Sequence, residues 1–112
     1  MITASFRYDA ETRELCFAAK GHAGQAERGQ DIVCSSASIL MFTLAHFVRN
    51  LFELGSIKSE PKIILDEGDA YVICKCEDDE IFTEAFQTYS VIKLGYSILA
   101  HNYPQYVRLI ES

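Results

Sequence analysis

The sequence predicts an α+β fold: two layers, with element order ββαββαβ, in which a mostly antiparallel sheet packs against two long amphipathic helices. Three observations carry that expectation. Residues 2 to 8 and 14 to 20 alternate apolar and polar positions, the period of a half-buried strand. Two later stretches repeat their apolar residues at helical spacing, and strand-like runs separated by turn residues lie between and after them. Hairpins interleaved with amphipathic helices imply helices covering one face of the sheet. At 112 residues the chain has the usual size of one domain, spanning residues 1–112.

ITASFRY places Ile2, Ala4, Phe6 and Tyr8 on one face and Thr3, Ser5 and Arg7 on the other. DAET at 9 to 12 is turn chemistry, and ELCFAAK at 14 to 20 returns as a second strand with Leu15, Phe17 and Ala19 together. Residues 32 to 54 form a helix with Leu40, Leu44, Phe47, Leu51 and Leu54 as its stripe, ended by Gly55. Met41, Phe42, Val48 and Phe52 widen that apolar surface, and the excess suggests a second buried contact, most simply a homodimer. After Pro61, KIILDEGDAYVICKCE reads as strand, DEGD turn and strand. Asp78 or Asp79 caps a second helix with Ala85, Phe86, Tyr89, Ile92, Tyr96 and Leu99 inside, stopped by Asn102 and Pro104. Residues 106 to 110 form a last short strand.

Composition narrows the function classes. Hydrophobic residues make up 49% and charged residues 23%, the profile of a folded globular chain. Ten Lys and Arg against sixteen Asp and Glu give a net charge of −6, with no basic stripe to follow a phosphate backbone, so nucleic acid is not an expected direct ligand. The first residues lack a secretory signal, and no apolar run is expected to be long enough to span a bilayer, which points to a cytoplasmic protein with no membrane contact. Its four cysteines, Cys16, Cys34, Cys74 and Cys76, are then reduced thiols.

The segment GHAGQAERGQDIVC, residues 21 to 34, carries a histidine and a cysteine near its two ends. With Asp31 as N-cap of the first helix, Cys34 falls in the first turn, where unpaired N–H groups and the helix dipole stabilise a thiolate. Gly21, Gly24 and Gly29 permit a flexible loop that folds His22 back onto the thiol. Together these supply a nucleophile, a general base that later acts as acid, and N–H groups at 34 and 35 for an oxyanion. By spacing alone, a buried cysteine with a surface histidine is the commoner explanation.

G-H-A at 21 to 23, A-E-R-G-Q-D-I-V-C-S-S-A-S at 26 to 38 and N-Y-P-Q-Y-V at 102 to 107 resemble the ribosomal-processing cysteine protease family, Prp. The resemblance spans the whole chain and its element order. It implies a small, dimeric, cytoplasmic bacterial endopeptidase that removes a short hydrophobic, Phe-containing N-terminal extension from a large-subunit ribosomal protein. It also implies Cys34 as nucleophile and His22 as its dyad partner, with no cofactor. The family more often carries alanines where this chain has Ser35 and Ser36, which leaves substrate detail open.

Asp31 is read mainly as the N-cap, with orientation of His22 as its alternative role. Ser38, one turn after Cys34, is placed to hydrogen-bond a substrate or the thiolate, and Ser35 is a further supporting candidate. Cys74 and Cys76 alternate onto one strand face without a second ligand pair, so they are expected as buried thiols, with no metal. The alternative function is a non-catalytic dimeric module that docks on a ribosomal protein or an assembly intermediate.

Overall fold

The computed structural model of the chain describes residues 1–22 and 28–110, with residues 28–31 described in the backbone only. Its elements are β1 (Ile2–Asp9), β2 (Glu14–Lys20), α1 (Arg28–Glu53), β3 (Lys62–Asp66), β4 (Asp69–Lys75), α2 (Asp79–Asn102) and β5 (Val107–Ile110). This is the ββαββαβ order read from the sequence. The five strands form one sheet in the order β3-β4-β2-β1-β5. Three neighbouring pairs are antiparallel, and β5 runs parallel to β1.

Period-2 alternation sets the register. In the first hairpin Ala4 faces Ala19 and Phe6 faces Phe17, so both strands turn the same face inward. Between them Asp9 Oδ1 accepts from the N–H groups of Glu11 and Thr12 at 2.9 and 3.2 Å, which closes the turn expected at DAET. The β3–β4 hairpin needs only Glu67 and Gly68 between the paired Asp66 and Asp69. Gly68 supplies the left-handed φ of +80° that this tight connection uses.

The helices cover one side of the sheet, α1 over β3 and β4, α2 over β1, β2 and β5. Leu15, Phe17 and Val72 from the sheet meet Val33, Leu44 and Val48 of α1 and Tyr89 and Tyr96 of α2 in a shared core, all with no exposed surface. Burying side chains of this size contributes roughly 1.5–3 kcal/mol each. Asp78 caps α2 as expected, its carboxylate accepting from Glu80 N–H and Ile81 N–H. At the end of α1, Gly55 adopts φ +79°. The N–H of Ser56 bonds the Leu51 carbonyl at 2.8 Å and that of Gly55 bonds the Phe52 carbonyl at 3.0 Å, a Schellman closure.

The structure corrects several expectations for α1. The helix begins at Arg28 and not at residue 32, so Asp31 lies inside it and is not its N-cap, and Gly29 belongs to its first turn and not to a loop. Gly24 lies outside the described residues. The buried stripe runs through Val33, Ala37, Met41, Leu44, Val48 and Leu51, whereas Leu54 is 81% exposed because the closure at Gly55 carries the chain away from the core. Ile32–Glu53 also meets the length and apolarity of a bilayer span, with mean hydropathy 1.5, contrary to the sequence expectation. That expectation weighed unbroken apolar runs, which Ser, Thr, His and Arg interrupt here, while mean hydropathy sums over every face of the helix. One of those faces is the core stripe just described.

Candidate active site

A cleft of about 350 Å³ opens at one end of the sheet, where β2 finishes and the β3–β4 turn projects. Ile2, Ala19 and Ala70 form its apolar floor, Cys34, Ala37, Ser38 and Met41 of α1 one wall, and residues 65–68 the other. His22, just past β2, also lines it. The cleft therefore gathers residues from four strands or their ends and from both helices, Tyr96 being the residue that α2 contributes. Apolar walls with a few converging polar groups are what a peptide-sized ligand site requires.

Each polar group has a structural reason for its place. Cys34 and Ser38 are four residues apart on α1, hence one above the other on the same exposed face, while Val33, Ala37 and Met41 turn into the core. His22 is held at its backbone. Gly21 N–H bonds the Gly68 carbonyl at 2.9 Å, and the terminal ammonium of Met1 donates to the His22 carbonyl oxygen. Gly21 has φ +97°, and a Cβ there would overlap the Met1 carbonyl, so this exit from β2 requires glycine. Asp66 and Glu67 bring two exposed carboxylates to the rim, opposite the helix.

Beneath the cleft the Tyr96 hydroxyl donates to the Ala37 carbonyl at 2.8 Å, fixing α2 to the turn of α1 that follows Cys34. Burial pushes the Tyr96 phenol above its ordinary range, so it remains a neutral donor. The other thiols lie elsewhere. Cys16 is half-buried, and loss of hydration raises its pKa against the opposing pull of Arg7 and Lys20. Cys74 and Cys76 are buried, and a hydrogen bond to Cys74 together with burial pushes the Cys76 thiol up. Cys34 is the one exposed cysteine. Among the described residues no three His, Cys, Asp or Glu side chains gather as a metal would need.

The sequence of the chain matches the family model of cysteine protease Prp over residues 1–108. The chain belongs to that family. A crystal structure of an essential ribosomal processing protease Prp from S. aureus with a substrate peptide is similar at TM-score 0.68 and 23% identity, covering 100% of both chains. A second S. aureus Prp structure, with a covalently linked product peptide, is similar at TM-score 0.66 and 24% identity over 97% of both chains. A Streptococcus mutans protein is 26% identical at TM-score 0.66, covering 97% of this chain and 91% of that one. A comparison with curated protein sequences gave no match.

Within this Prp chain the structure brings together His22, Cys34 and Ser38, and Gly21 supports the first of them. Ser35 is exposed but does not line the cleft, since one helical residue turns it away from Cys34. The side chain of Asp31 lies outside the described residues. Cys34 is the seventh residue of α1, past the first turn in which it was expected. Its N–H and that of Ser35 therefore bond the carbonyls of residues 30 and 31 within the helix, and are not free for an oxyanion. The wall formed by residues 65–68 was missed. The DEGD turn was legible, but its place beside β2 depends on the pairing of Ala19 with Ala70 and Lys20 with Asp69.

Proposed function

We propose that the chain is a cysteine endopeptidase that removes a short hydrophobic, Phe-containing N-terminal extension from a bacterial large-subunit ribosomal protein, with Cys34 and His22 as its dyad. The observation that carries this reading is that the exposed cysteine and His22, from different elements, line one cleft with an apolar floor. Membership of a cysteine protease family supports it, as do similar folds holding a substrate peptide and a covalently linked product peptide.

In the proposed reaction His22 takes the thiol proton and Cys34 Sγ attacks the scissile carbonyl carbon. The tetrahedral intermediate collapses as the C–N bond breaks, and the imidazolium returns the proton to the leaving amine. Water, deprotonated by His22, then splits the thioester and frees the thiol. The apolar floor of Ile2, Ala19 and Ala70, with Met41 and Phe42 on the helix side, suits an aromatic or aliphatic substrate side chain.

The same reading has the enzyme working in the cytoplasm as a homodimer, with neither nucleic acid nor membrane as a direct ligand. Exposed apolar side chains on both helices support a second buried contact: Ile32, Ile39 and Phe42 on α1, and Val91, Leu94 and Ile98 along one ridge of α2. Sedimentation equilibrium measures that association.

The functional test is mass spectrometry of a precursor carrying a Phe-rich N-terminal extension, incubated with wild type, Cys34→Ala and His22→Ala. One defined cut, made by the wild type alone, is expected. Undiminished cleavage by Cys34→Ala would sink the proposal, and binding without a cut by any variant would favour the docking module.

A further inference from the structure

We propose that the β3–β4 turn is the positioning element of His22 and that Gly68, by lacking a side chain, sets where the imidazole stands. The inference rests on the dyad reading above and assigns a role to a residue outside the dyad.

Three features of the turn converge on the histidine. Antiparallel pairing of β2 with β4 runs as far as Lys20 with Asp69, and the bond from Gly21 N–H to the Gly68 carbonyl continues it one step beyond the strands. The backbone next to His22 is thus pinned to the tip of the turn. A Cβ placed on Gly68 would lie 2.5 Å from Nε2 and 2.6 Å from Cε1 of His22, with Cδ2 at 3.3 Å. The imidazole edge that carries Nε2 therefore rests in the space that every other amino acid would fill. Finally, Gly68 has φ +80°, which the two-residue connection uses and which glycine adopts without strain.

His22 is an exposed side chain at the end of a strand, with little core packing to fix its rotamer. Gly68 supplies that missing constraint: without a side chain it leaves room for the Nε2–Cε1 edge of the ring, which lines the cleft shared with Cys34. Any Cβ at position 68 forces the imidazole aside, and because the ring is the mobile end of an exposed side chain, the cost falls on its placement more than on folding. Displacing a reacting group by about 1 Å can lower a rate about 10²-fold.

The experiment is a double-mutant cycle on cleavage of a Phe-containing peptide, with kcat and KM measured separately for wild type, Gly68→Ala, His22→Ala and the double variant. Gly68→Asn is made in parallel, because asparagine accepts positive φ more readily than alanine while still carrying the Cβ. Gly55→Ala controls for backbone strain: it has nearly the same φ, +79°, but a Cβ there meets nothing within 4 Å. Both Gly68 variants are expected to lose kcat about 10²-fold with KM changed less than about threefold. Gly55→Ala should cleave at the wild-type rate, and the double variant should be no slower than His22→Ala.

Wild-type kcat in the folded Gly68→Asn protein, beside an inactive His22→Ala, would overturn the assignment of Gly68 and leave the dyad standing. A double variant slower than His22→Ala by the full Gly68 factor would overturn it too, since Gly68 would then act through something other than the histidine. Full activity of His22→Ala would remove the dyad and this assignment together.

Discussion

Replacing Tyr96 by phenylalanine isolates one buried hydrogen bond that ties the two helices together under the cleft. The ring has no exposed surface and packs against Phe17 in a tilted pair with 5.1 Å between centroids, and phenylalanine keeps both that contact and the buried area. What disappears is the bond from the hydroxyl to the Ala37 carbonyl. That oxygen is not orphaned, because within α1 it still accepts from Met41 N–H. The net loss is then that of one ordinary hydrogen bond, about 0.5–1.5 kcal/mol, without the extra penalty of an unsatisfied buried acceptor. Truncation to alanine also removes the ring and leaves a cavity, so it should cost roughly 3–5 kcal/mol. Urea denaturation with an unchanged m-value measures both, and thermal melting should place the phenylalanine variant about 2–6 °C below wild type. A phenylalanine variant as unstable as the alanine variant would refute the statement that Ala37 keeps a second donor. One equal in stability to wild type would refute a contribution from the hydroxyl.

Brief treatment of the native protein with iodoacetamide at neutral pH should give a single adduct, on Cys34, because Cys16 is half-buried with its thiol pushed up and Cys74 and Cys76 are buried. Intact mass and peptide mapping read this, and in urea all four cysteines should react. Asp78→Ala removes the side-chain acceptor for Glu80 and Ile81 N–H at 2.7 and 3.4 Å and should destabilise the protein by about 0.5–2 kcal/mol in a urea melt, with Asp78→Asn largely spared. Glu77 accepts from Lys58 N–H at 2.9 Å and from the Ser59 hydroxyl, and these bonds hold its carboxyl below the usual range. A depressed folded pKa gives stability that is present above the unfolded value of about 4.3 and lost as pH falls through the folded one. Glu77→Gln should therefore flatten part of the acid-side fall in melting temperature below about pH 4.3; an unchanged acid profile would show that the bonds do not persist in solution.

What the sequence made legible follows from what is local. Alternation in ITASFRY and ELCFAAK fixed which faces of β1 and β2 are buried, and the turn residues between them fixed the hairpin. The spacing of Ala85, Tyr89, Ile92, Tyr96 and Leu99 identified the buried face of α2, with Asp78 as its cap. The start of α1 was not legible, because Asp31 is a favoured cap residue and Gly29 costs about 1 kcal/mol in a helix interior, yet the helix runs back to Arg28 through both. Its core stripe was legible only in part, with Leu44 and Leu51 buried as expected but Met41 and Val48 in place of the part-buried Leu40 and Phe47, for a related reason. Ala37 is fully packed yet weakly apolar, so a pattern built on leucines passes over it. Of the site, His22, Cys34 and Ser38 could be picked out from residue type and motif. The β3–β4 wall could not, because it reaches the cleft only through the pairing of β4 with β2, a long-range choice that no local pattern encodes.

The longer helix changes where catalytic assistance must come from on the proposed mechanism. Dipole stabilisation falls off within the first turn, and Cys34 is the seventh residue of α1, so the helix terminus contributes little to its thiolate. Activation then rests on His22, and an oxyanion formed at the scissile carbonyl needs a donor other than the N–H groups of 34 and 35. The Ser38 hydroxyl is exposed in the same cleft one turn beyond the thiol. Losing one oxyanion donor costs about 10²–10³-fold in kcat, whereas a serine that only permits close packing changes stability and leaves kcat alone. Ser38→Ala should therefore lower kcat by roughly 10²-fold with little change in KM, and the rate of Cys34 alkylation, which forms no oxyanion, should stay at the wild-type value. A fall in alkylation rate would instead assign Ser38 to the thiolate. Unchanged kcat would return it to packing and refute its assignment to the oxyanion.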